Sequence, residues 1–188
     1  MAKFVSAFSR TMQFEGGYSN DPLDKGGETF RGISRRFNPS WLGWKVVDQK
    51  KKDVKALLKD TKLDQLVSEF YKTNYWDVFE ADNISDQKVA EELFDTGVNL
   101  GIQRAGTFLQ QSLNALNRNG TLFPDLVVDG RHGPKSASAL GRILGSGDGE
   151  IVWKILSVLK GNHYLEYMKQ SPEQEAYARG WFKRVFAS

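Results

Sequence analysis

Three residues near the start of the chain have the types and spacing that acid–base chemistry needs. Glu15 directly precedes a Gly-Gly pair, Asp24 follows nine residues later, and Thr29 lies five positions beyond Asp24. With Phe14 and Tyr18 nearby, Glu15 is expected at or near a helix C-terminus, where the helix dipole and apolar neighbours disfavour the charged carboxylate. Asp24, in a polar loop, is expected to be ionised, and the hydroxyl of Thr29 can hold a water molecule.

Cleavage of a glycosidic bond typically uses two carboxyl groups whose environments give them different pKa values, so that one is protonated and the other is ionised. Glu15 then suits the role of general acid, and Asp24 that of the ionised partner. Glu28 and Asp21 are alternative second carboxylates. Clusters of glycine and aspartate are also typical of ordinary loops, so the residues alone identify only a candidate site.

The elements that must position these residues are mostly helices. Residues 3–14 carry apolar side chains at helical spacing, and the glycines at 16 and 17 are expected to end that helix. An irregular stretch follows to about residue 33. Further helices are expected near 48 and 62, over 84–101 and 102–120, from about 134, and over 150–170 and 172–186. The fold class is therefore all-α, with a small β-hairpin allowed in the N-terminal stretch.

The composition excludes several kinds of chemistry. Among 188 residues there is no cysteine, which excludes thiol nucleophiles, disulfides and cysteine metal sites. His132 and His163 lack the spacing of a zinc site, so neither a metal nor another cofactor is expected. The net charge of +3 includes a basic run at 48–55, which is interpreted as the solvated start of a helix rather than a nucleic-acid arm.

A longer string carries a resemblance to a known family. Residues 15–34, "EGGYSNDPLDKGGETFRGIS", resemble the signature of glycoside hydrolase family 108, which consists of bacterial and phage N-acetylmuramidases. The order of Glu15, Asp24 and Thr29 is also similar to the Glu-Asp-Thr triad of phage-type lysozymes, although four residues precede the threonine here instead of five. Similar segments follow at 70–77, 92–114 and 179–184, and "VVDGRHGPKSASAL" at 127–140 resembles part of the family's C-terminal predicted peptidoglycan-binding region.

The resemblance implies a lysozyme-like helical fold, with a catalytic region at 1–90 and a peptidoglycan-binding region at 91–188 packed as one unit. It implies cleavage of the β-1,4 bond between N-acetylmuramic acid and N-acetylglucosamine. Glu15 would protonate the leaving oxygen, Asp24 would activate water or stabilise the oxocarbenium-like transition state, and Thr29 would help to position that water. The substrate-binding candidates are Tyr18, Tyr75, Trp76, Asp95 and Asn99.

Four of the five binding candidates, and one turn, also have a structural alternative. Tyr75 and Trp76 either stack on sugar rings or pack in the core at a helix end. Asp95 and Asn99 are spaced i, i+4 and share a helix face, from which they either contact the glycan or bridge to other elements. The turn at 129–134 either binds cell-wall material or connects two helices.

Several functional alternatives also remain open from the sequence. The chain is either a muramidase, a lytic transglycosylase that needs only one acidic residue, or a non-catalytic cell-wall-binding or secretion-activator protein. A phage endolysin and a bacterial enzyme are equally compatible with the sequence, and so are inverting and retaining mechanisms.

The expected partner is the glycan strand of peptidoglycan, without nucleic acid or membrane insertion, and a monomer is expected. The first residues lack the apolar core of a signal peptide, so synthesis in the cytoplasm and holin-type or other release to the cell wall are expected.

Overall fold

The computed structural model describes residues 1–20 and 27–185. These residues are mainly helical. The α-helices are α1 (Phe4–Met12), α2 (Gly43–Lys50), α3 (Val54–Leu57), α4 (Thr61–Tyr71), α5 (Gln87–Leu100), α6 (Ile102–Leu116), α7 (Pro134–Gly145), α8 (Gly149–Gln170) and α9 (Ala178–Val185). A π-helix spans Lys72–Trp76, and 3-10 helices span Asp77–Phe79, Ala81–Asn83 and Pro172–Tyr177.

Three short strands accompany the helices: β1 (Tyr18–Ser19), β2 (Thr29–Phe30) and β3 (Ile33–Ser34). They form an antiparallel sheet in the order β1-β2-β3. The prediction of an all-α, lysozyme-like fold with a small hairpin in the N-terminal stretch is confirmed.

The chain divides into two compact units. The hairpin unit is Phe8–Asn74, and the helical unit combines Met1–Ala7 with Tyr75–Ser188. The boundary predicted at residue 90 lies inside α5, and the division into a catalytic region and a binding region stays a prediction.

The hairpin unit forms a core between its sheet and helices α2 to α4. Aspartates begin two of these helices: Asp53 accepts a hydrogen bond from the backbone N–H of Ala56, and Asp60 accepts one from that of Leu63. Such caps satisfy backbone donors that have no partner within the helix. The buried apolar residues are Phe30, Ile33, Trp44, Val47, Leu57, Leu63, Val67 and Tyr71.

Two helix predictions in this unit were wrong at their ends. Helix α1 ends at Met12, and the chain continues in turns in which the backbone N–H of Phe14 bonds to the carbonyl of Thr11. Glu15 therefore lies three residues beyond the helix end, near the C-terminus of α1 as predicted.

The helix expected to start near Asp48 instead begins at Gly43 and ends at Lys50. Its start is set by tryptophan packing, because Trp44 is buried and its indole N–H donates to the carbonyl of Asn38 at 2.7 Å. A Cβ atom on Gly43 would lie 2.2 Å from the Trp41 ring, so glycine admits this indole against the backbone.

The helical unit is built around α5, α6 and α8, which pack against one another pairwise. The link between α5 and α6 is Gly101, whose φ of 90° lies in the left-handed region that glycine tolerates. Their buried apolar residues include Leu93, Phe94, Leu109, Leu113, Val152 and Leu156. In the part of the chain that the structure describes, no helix combines the length and apolarity needed to cross a membrane.

The turn at 129–134 is anchored on α6. Gln110 donates to Asp129 at 2.8 Å and accepts a hydrogen bond from the backbone N–H of Gly130, also at 2.8 Å. A Cβ atom on Gly106 would lie 2.1 Å from the carbonyl oxygen of Gly130, so the turn packs directly on the helix backbone. These contacts support the alternative in which the turn serves as a structural connection between two helices.

A cluster of buried charges joins α5, α8 and α9. The ammonium group of Lys160 lies 2.9 Å from Glu92 and 2.7 Å from Asp95, and Arg184 contacts the same Asp95 carboxylate at 2.9 Å. Burial opposes ionisation of Asp95, but the positive charges of Lys160 and Arg184 outweigh it and hold the pKa of Asp95 below its ordinary value. The stabilisation from Asp95 is therefore present at neutral pH and is lost as the pH falls through that lowered pKa.

Two lysines of α8 provide a matched test of this cluster. Lys160→Met removes a fully buried charge that pairs with two carboxylates, and we expect it to lower the free energy of unfolding by about 3–5 kcal/mol. Lys154→Met removes a largely exposed partner of Glu150 and should cost under about 1 kcal/mol. Urea unfolding measures both, and equal losses would contradict the structural importance of the cluster.

Candidate functional site

The candidate site is built on a tight hairpin turn between β2 and β3. Phe30 pairs with Ile33, so Arg31 and Gly32 form a two-residue loop. Both have positive φ, 45° and 80°, as a type I′ turn requires. This turn matches the twist of the strands, but Arg31 adopts an unfavourable conformation that other contacts must stabilise.

The contacts that hold Arg31 come from its own unit. Its guanidinium forms an ion pair with Asp64 of α4 at 2.9 Å and donates to the carbonyl of Leu58 at 3.2 Å. Its backbone N–H donates to the carbonyl of Gly17 at 2.7 Å, which ties the segment after Glu15 to the turn. The turn is thus held both by α4 with the residue Leu58 and by the segment that follows Glu15.

Glu15 lies against this turn. A Cβ atom on Gly32 would lie 2.6 Å from Oε2 of Glu15 and 2.5 Å from the hydroxyl oxygen of Tyr71. Real Cβ atoms do not approach other atoms this closely, so the carboxyl and the hydroxyl together use the space that glycine leaves open. The side chain of Glu15 is half-buried, which leaves part of it accessible to a ligand.

Tyr71, at the end of α4, is held in place. It is 2% exposed, and its ring packs against Phe8 and Phe70 with centroid distances of 5.9 and 5.5 Å. Its hydroxyl donates to the carbonyl oxygen of Arg31 at 2.8 Å. Tyr71 therefore connects α4 to the turn beside Glu15.

Glu28 belongs to a second polar network. Tyr18 donates its hydroxyl hydrogen to Glu28 at 2.8 Å, and Nε of Arg35 lies 2.6 Å from the other carboxylate oxygen. Arg35 also donates to both oxygens of Asp48 and lies over the ring of Trp44 at 4.4 Å. Both oxygens of Glu28 are thus engaged in holding the sheet to α2.

The environment of Tyr18 fixes its protonation. Partial burial, followed by the hydrogen bond to Glu28, raises the pKa of Tyr18 to about 12. Tyr18 is therefore protonated at neutral pH and acts as the donor to Glu28. Because its hydroxyl hydrogen is committed to Glu28, the hydroxyl of Tyr18 can contact substrate only as an acceptor, and its ring remains for stacking.

The other predicted catalytic residues are placed in different ways. Thr29 lies on the central strand β2, opposite Ser19 on β1 and Ser34 on β3, and its side chain is half-buried. Asp24 and the alternative carboxylate Asp21 lie outside the described residues. The structure thus brings Glu15 to the turn and gives Glu28 structural partners.

The predicted sugar-stacking pair belongs to the helical unit. Trp76 is fully buried, its indole N–H donates to Asp82 at 2.8 Å, and its ring makes edge contacts with Phe4 and Phe94. These contacts support the core-packing alternative for Trp76 and oppose a stacking role. Tyr75 is half-buried, and its sugar contact stays a prediction.

The predicted polar pair of α5 is likewise engaged inside the helical unit. Asp95 is 2% exposed and pairs with Lys160 and Arg184, so its burial does not support glycan contact. Asn99 donates to the hydroxyl of Tyr164, which supports the bridging alternative. Within residues 1–20 and 27–185, no group of three or more histidine and acidic side chains is arranged to hold a metal ion.

Sequence reasoning missed Gly32, Tyr71 and Arg35. The segment "FRGIS" did contain a signal, because glycine at the second position of a two-residue loop is typical of a hairpin turn. The partnership of Tyr71 with Arg31 had no local signal, since 40 residues separate them.

A matched pair of glycines tests the crowding at Gly32. Gly32→Ala and Gly147→Ala both place a side chain at nearly the same positive φ, 80° and 84°, which costs about 1–2 kcal/mol. At Gly147 the added Cβ meets nothing within 4 Å, whereas at Gly32 it meets Tyr71 and Glu15. We expect urea unfolding to show the larger loss of stability for Gly32→Ala, and equal losses would contradict the close approach.

A solved structure is similar to this one along most of its length. The structure of Brucella abortus SagA superposes with a TM-score of 0.64 and 25% sequence identity, covering 97% of this chain and 88% of that chain. A search of curated proteins gives no significant match.

Two family models match consecutive parts of the chain. Residues 8–101 match glycosyl hydrolase 108, a segment that contains Glu15 and the hairpin turn. Residues 104–186 match the predicted peptidoglycan domain, which confirms the resemblance seen around the turn at 129–134. The chain therefore belongs to the glycosyl hydrolase 108 family and is a glycoside hydrolase that acts on peptidoglycan.

Proposed function

We propose that the protein is an N-acetylmuramidase that hydrolyses the β-1,4 bond between N-acetylmuramic acid and N-acetylglucosamine, with Glu15 as the general acid. The observation that carries this proposal is the half-buried carboxyl of Glu15, held against the Gly32 turn beside a buried tyrosine hydroxyl. A general acid must be protonated near neutral pH, and partial burial of a carboxyl group favours its protonated form.

The proposed reaction needs a second carboxylate. Glu15 gives its proton to the leaving glycosidic oxygen while the sugar develops oxocarbenium character. Asp24 either activates the attacking water or stabilises this cation, and Thr29 helps to position the water. Glu28 is less suited to this role, because Arg35 and Tyr18 already engage both of its oxygens.

Substrate contacts are proposed for the residues that keep accessible surface. The rings of Tyr18 and Tyr75 are half-buried and can lie against sugar rings, whereas Trp76 and Asp95 are assigned to the core. The reaction takes place in the cell wall, where peptidoglycan is found.

Glu15→Gln tests the assignment of the acid. Glutamine keeps the size of the side chain but cannot donate a proton as an acid does, so we expect activity on purified peptidoglycan to fall by about 10²–10⁴-fold. Glu69→Gln is the matched control, because Glu69 is an exposed glutamate on α4 of the same unit. Glu69→Gln should retain full activity. Both variants should have a Tm high enough to show that they are folded under the assay conditions.

The products identify the reaction. Mass spectrometry of the wild-type digest is expected to show reducing N-acetylmuramic acid ends, in which one water has been added across the bond. Anhydro ends would contradict hydrolysis and indicate transglycosylation instead. Equal activity of Glu15→Gln and wild type would contradict the role of Glu15, and a folded wild type that binds the wall without cleaving it would contradict the catalytic proposal.

A second pair of variants tests which carboxylate assists. Asp24→Asn is expected to reduce kcat by about 10²-fold or more, which is the usual effect of removing an acid–base group. Glu28→Gln is expected mainly to lower Tm, because it breaks the ion pair with Arg35, while activity per folded molecule falls less. Steady-state kinetics with thermal unfolding measure both effects, and the reverse pattern would make Glu28 the second carboxylate.

A further inference from the structure

The position of the Tyr71 hydroxyl beside Glu15 has a chemical consequence for the acid. We propose that Tyr71 is a positioning residue that accepts a hydrogen bond from the protonated carboxyl of Glu15 and so keeps that proton in place until it is transferred to the substrate. This inference rests on the proposed function, in which Glu15 is the general acid.

The geometry places the two groups together. The hydroxyl oxygen of Tyr71 and Oε2 of Glu15 lie 2.5 and 2.6 Å from the same point, the place where a side chain would begin on Gly32. Both oxygens therefore converge on one small space beside the turn. The positive φ of Gly32 disfavours any other residue there, so the backbone itself keeps this space open.

The direction of the hydrogen bond follows from the number of protons available. A tyrosine hydroxyl has one hydrogen, and Tyr71 donates it to the carbonyl oxygen of Arg31 at 2.8 Å. A carbonyl oxygen is an acceptor only, so this bond cannot reverse. Towards Glu15 the hydroxyl then presents a lone pair, to which a protonated carboxyl can donate but a carboxylate cannot.

The surrounding structure keeps Tyr71 committed to Arg31. The phenol ring is buried against Phe8 and Phe70, and the Arg31 carbonyl belongs to a turn fastened by the ion pair with Asp64. Turning the hydroxyl towards Glu15 would take away its hydrogen bond to a backbone carbonyl, which is costly for a buried polar group.

Charged side chains lie on the elements around the Gly32 turn. In the part of the chain that the structure describes, they include Arg10 on α1, Arg31 and Glu28 on the hairpin, and Asp64 on α4. Arg31 pairs with Asp64, and Glu28 pairs with Arg35. Replacing tyrosine by phenylalanine removes one neutral hydroxyl and leaves every one of these charges in place.

Tyr71→Phe is the test of this role. Without the acceptor, the protonated form of Glu15 loses a hydrogen bond, so we expect the alkaline limb of the kcat/KM profile to move to lower pH by about half to one unit. The titration of the Glu15 carboxyl carbon, followed by ¹³C NMR in the absence of substrate, should move by the same amount. Tyr167→Phe is the control, because Tyr167 is an exposed tyrosine on α8, and it should shift neither curve.

The outcomes separate this inference from the proposed function. An unchanged or upward-shifted titration of Glu15 in Tyr71→Phe would overturn the role of Tyr71. A downward shift of the carboxyl titration with an unchanged kinetic limb would support the contact but would overturn Glu15 as the general acid.

A second variant decides the matter if Tyr71→Phe does not fold. In Glu15→Gln the side-chain amide is a permanent donor that can bond to the Tyr71 hydroxyl, as the protonated carboxyl does. We therefore expect Glu15→Gln to have a Tm at pH 7 at least as high as that of the wild type. A clearly lower Tm would contradict an acceptor beside residue 15.

Discussion

The position of Glu15 depends on the absence of a side chain at Gly32. A two-residue turn needs positive φ at this position, and the same glycine leaves the space in which the Glu15 carboxyl and the Tyr71 hydroxyl meet. Strands of two residues are too short to be stable alone, so the sheet relies on helices α2 and α4. Asp64 and Tyr71 of α4 hold the turn, and Asp48 of α2 holds Arg35. The site is thus a short hairpin made rigid by the helices of its own unit.

The helical unit is held by a different kind of interaction. Lys160, Arg184, Glu92 and Asp95 are buried as a cluster of opposite charges on α5, α8 and α9. Taking such charges out of water is costly, and that cost is offset only while they stay paired. Any packing of these three helices that separated the charges would expose the full desolvation penalty. The cluster therefore favours one arrangement of the helices over others that would bury similar apolar area.

The sequence predicted the features that local patterns determine. Apolar spacing identified the long helices α5, α6 and α8, and glycines with acids identified the segment around Glu15. It did not predict interactions between distant residues. Asp95 meets Lys160 across 65 positions and Arg184 across 89, so its place on a helix face could not show that it is buried. The start of α2 was missed for a related reason, because burial of Trp44 decides it and the local charge pattern does not.

Two tyrosines of the hairpin unit give their hydroxyl hydrogens to different kinds of acceptor. Tyr18 gives its hydroxyl hydrogen to Glu28, whose other carboxylate oxygen pairs with Arg35. Tyr71 gives its hydrogen to the backbone carbonyl of Arg31 instead, and in its proposed role its hydroxyl oxygen accepts a hydrogen bond from the protonated carboxyl of Glu15. Catalysis by a pair of carboxyl groups requires environments that give the two groups different pKa values. In the proposed mechanism, Glu28 holds the sheet through Tyr18 and Arg35, whereas Glu15, beside Tyr71, serves as the acid.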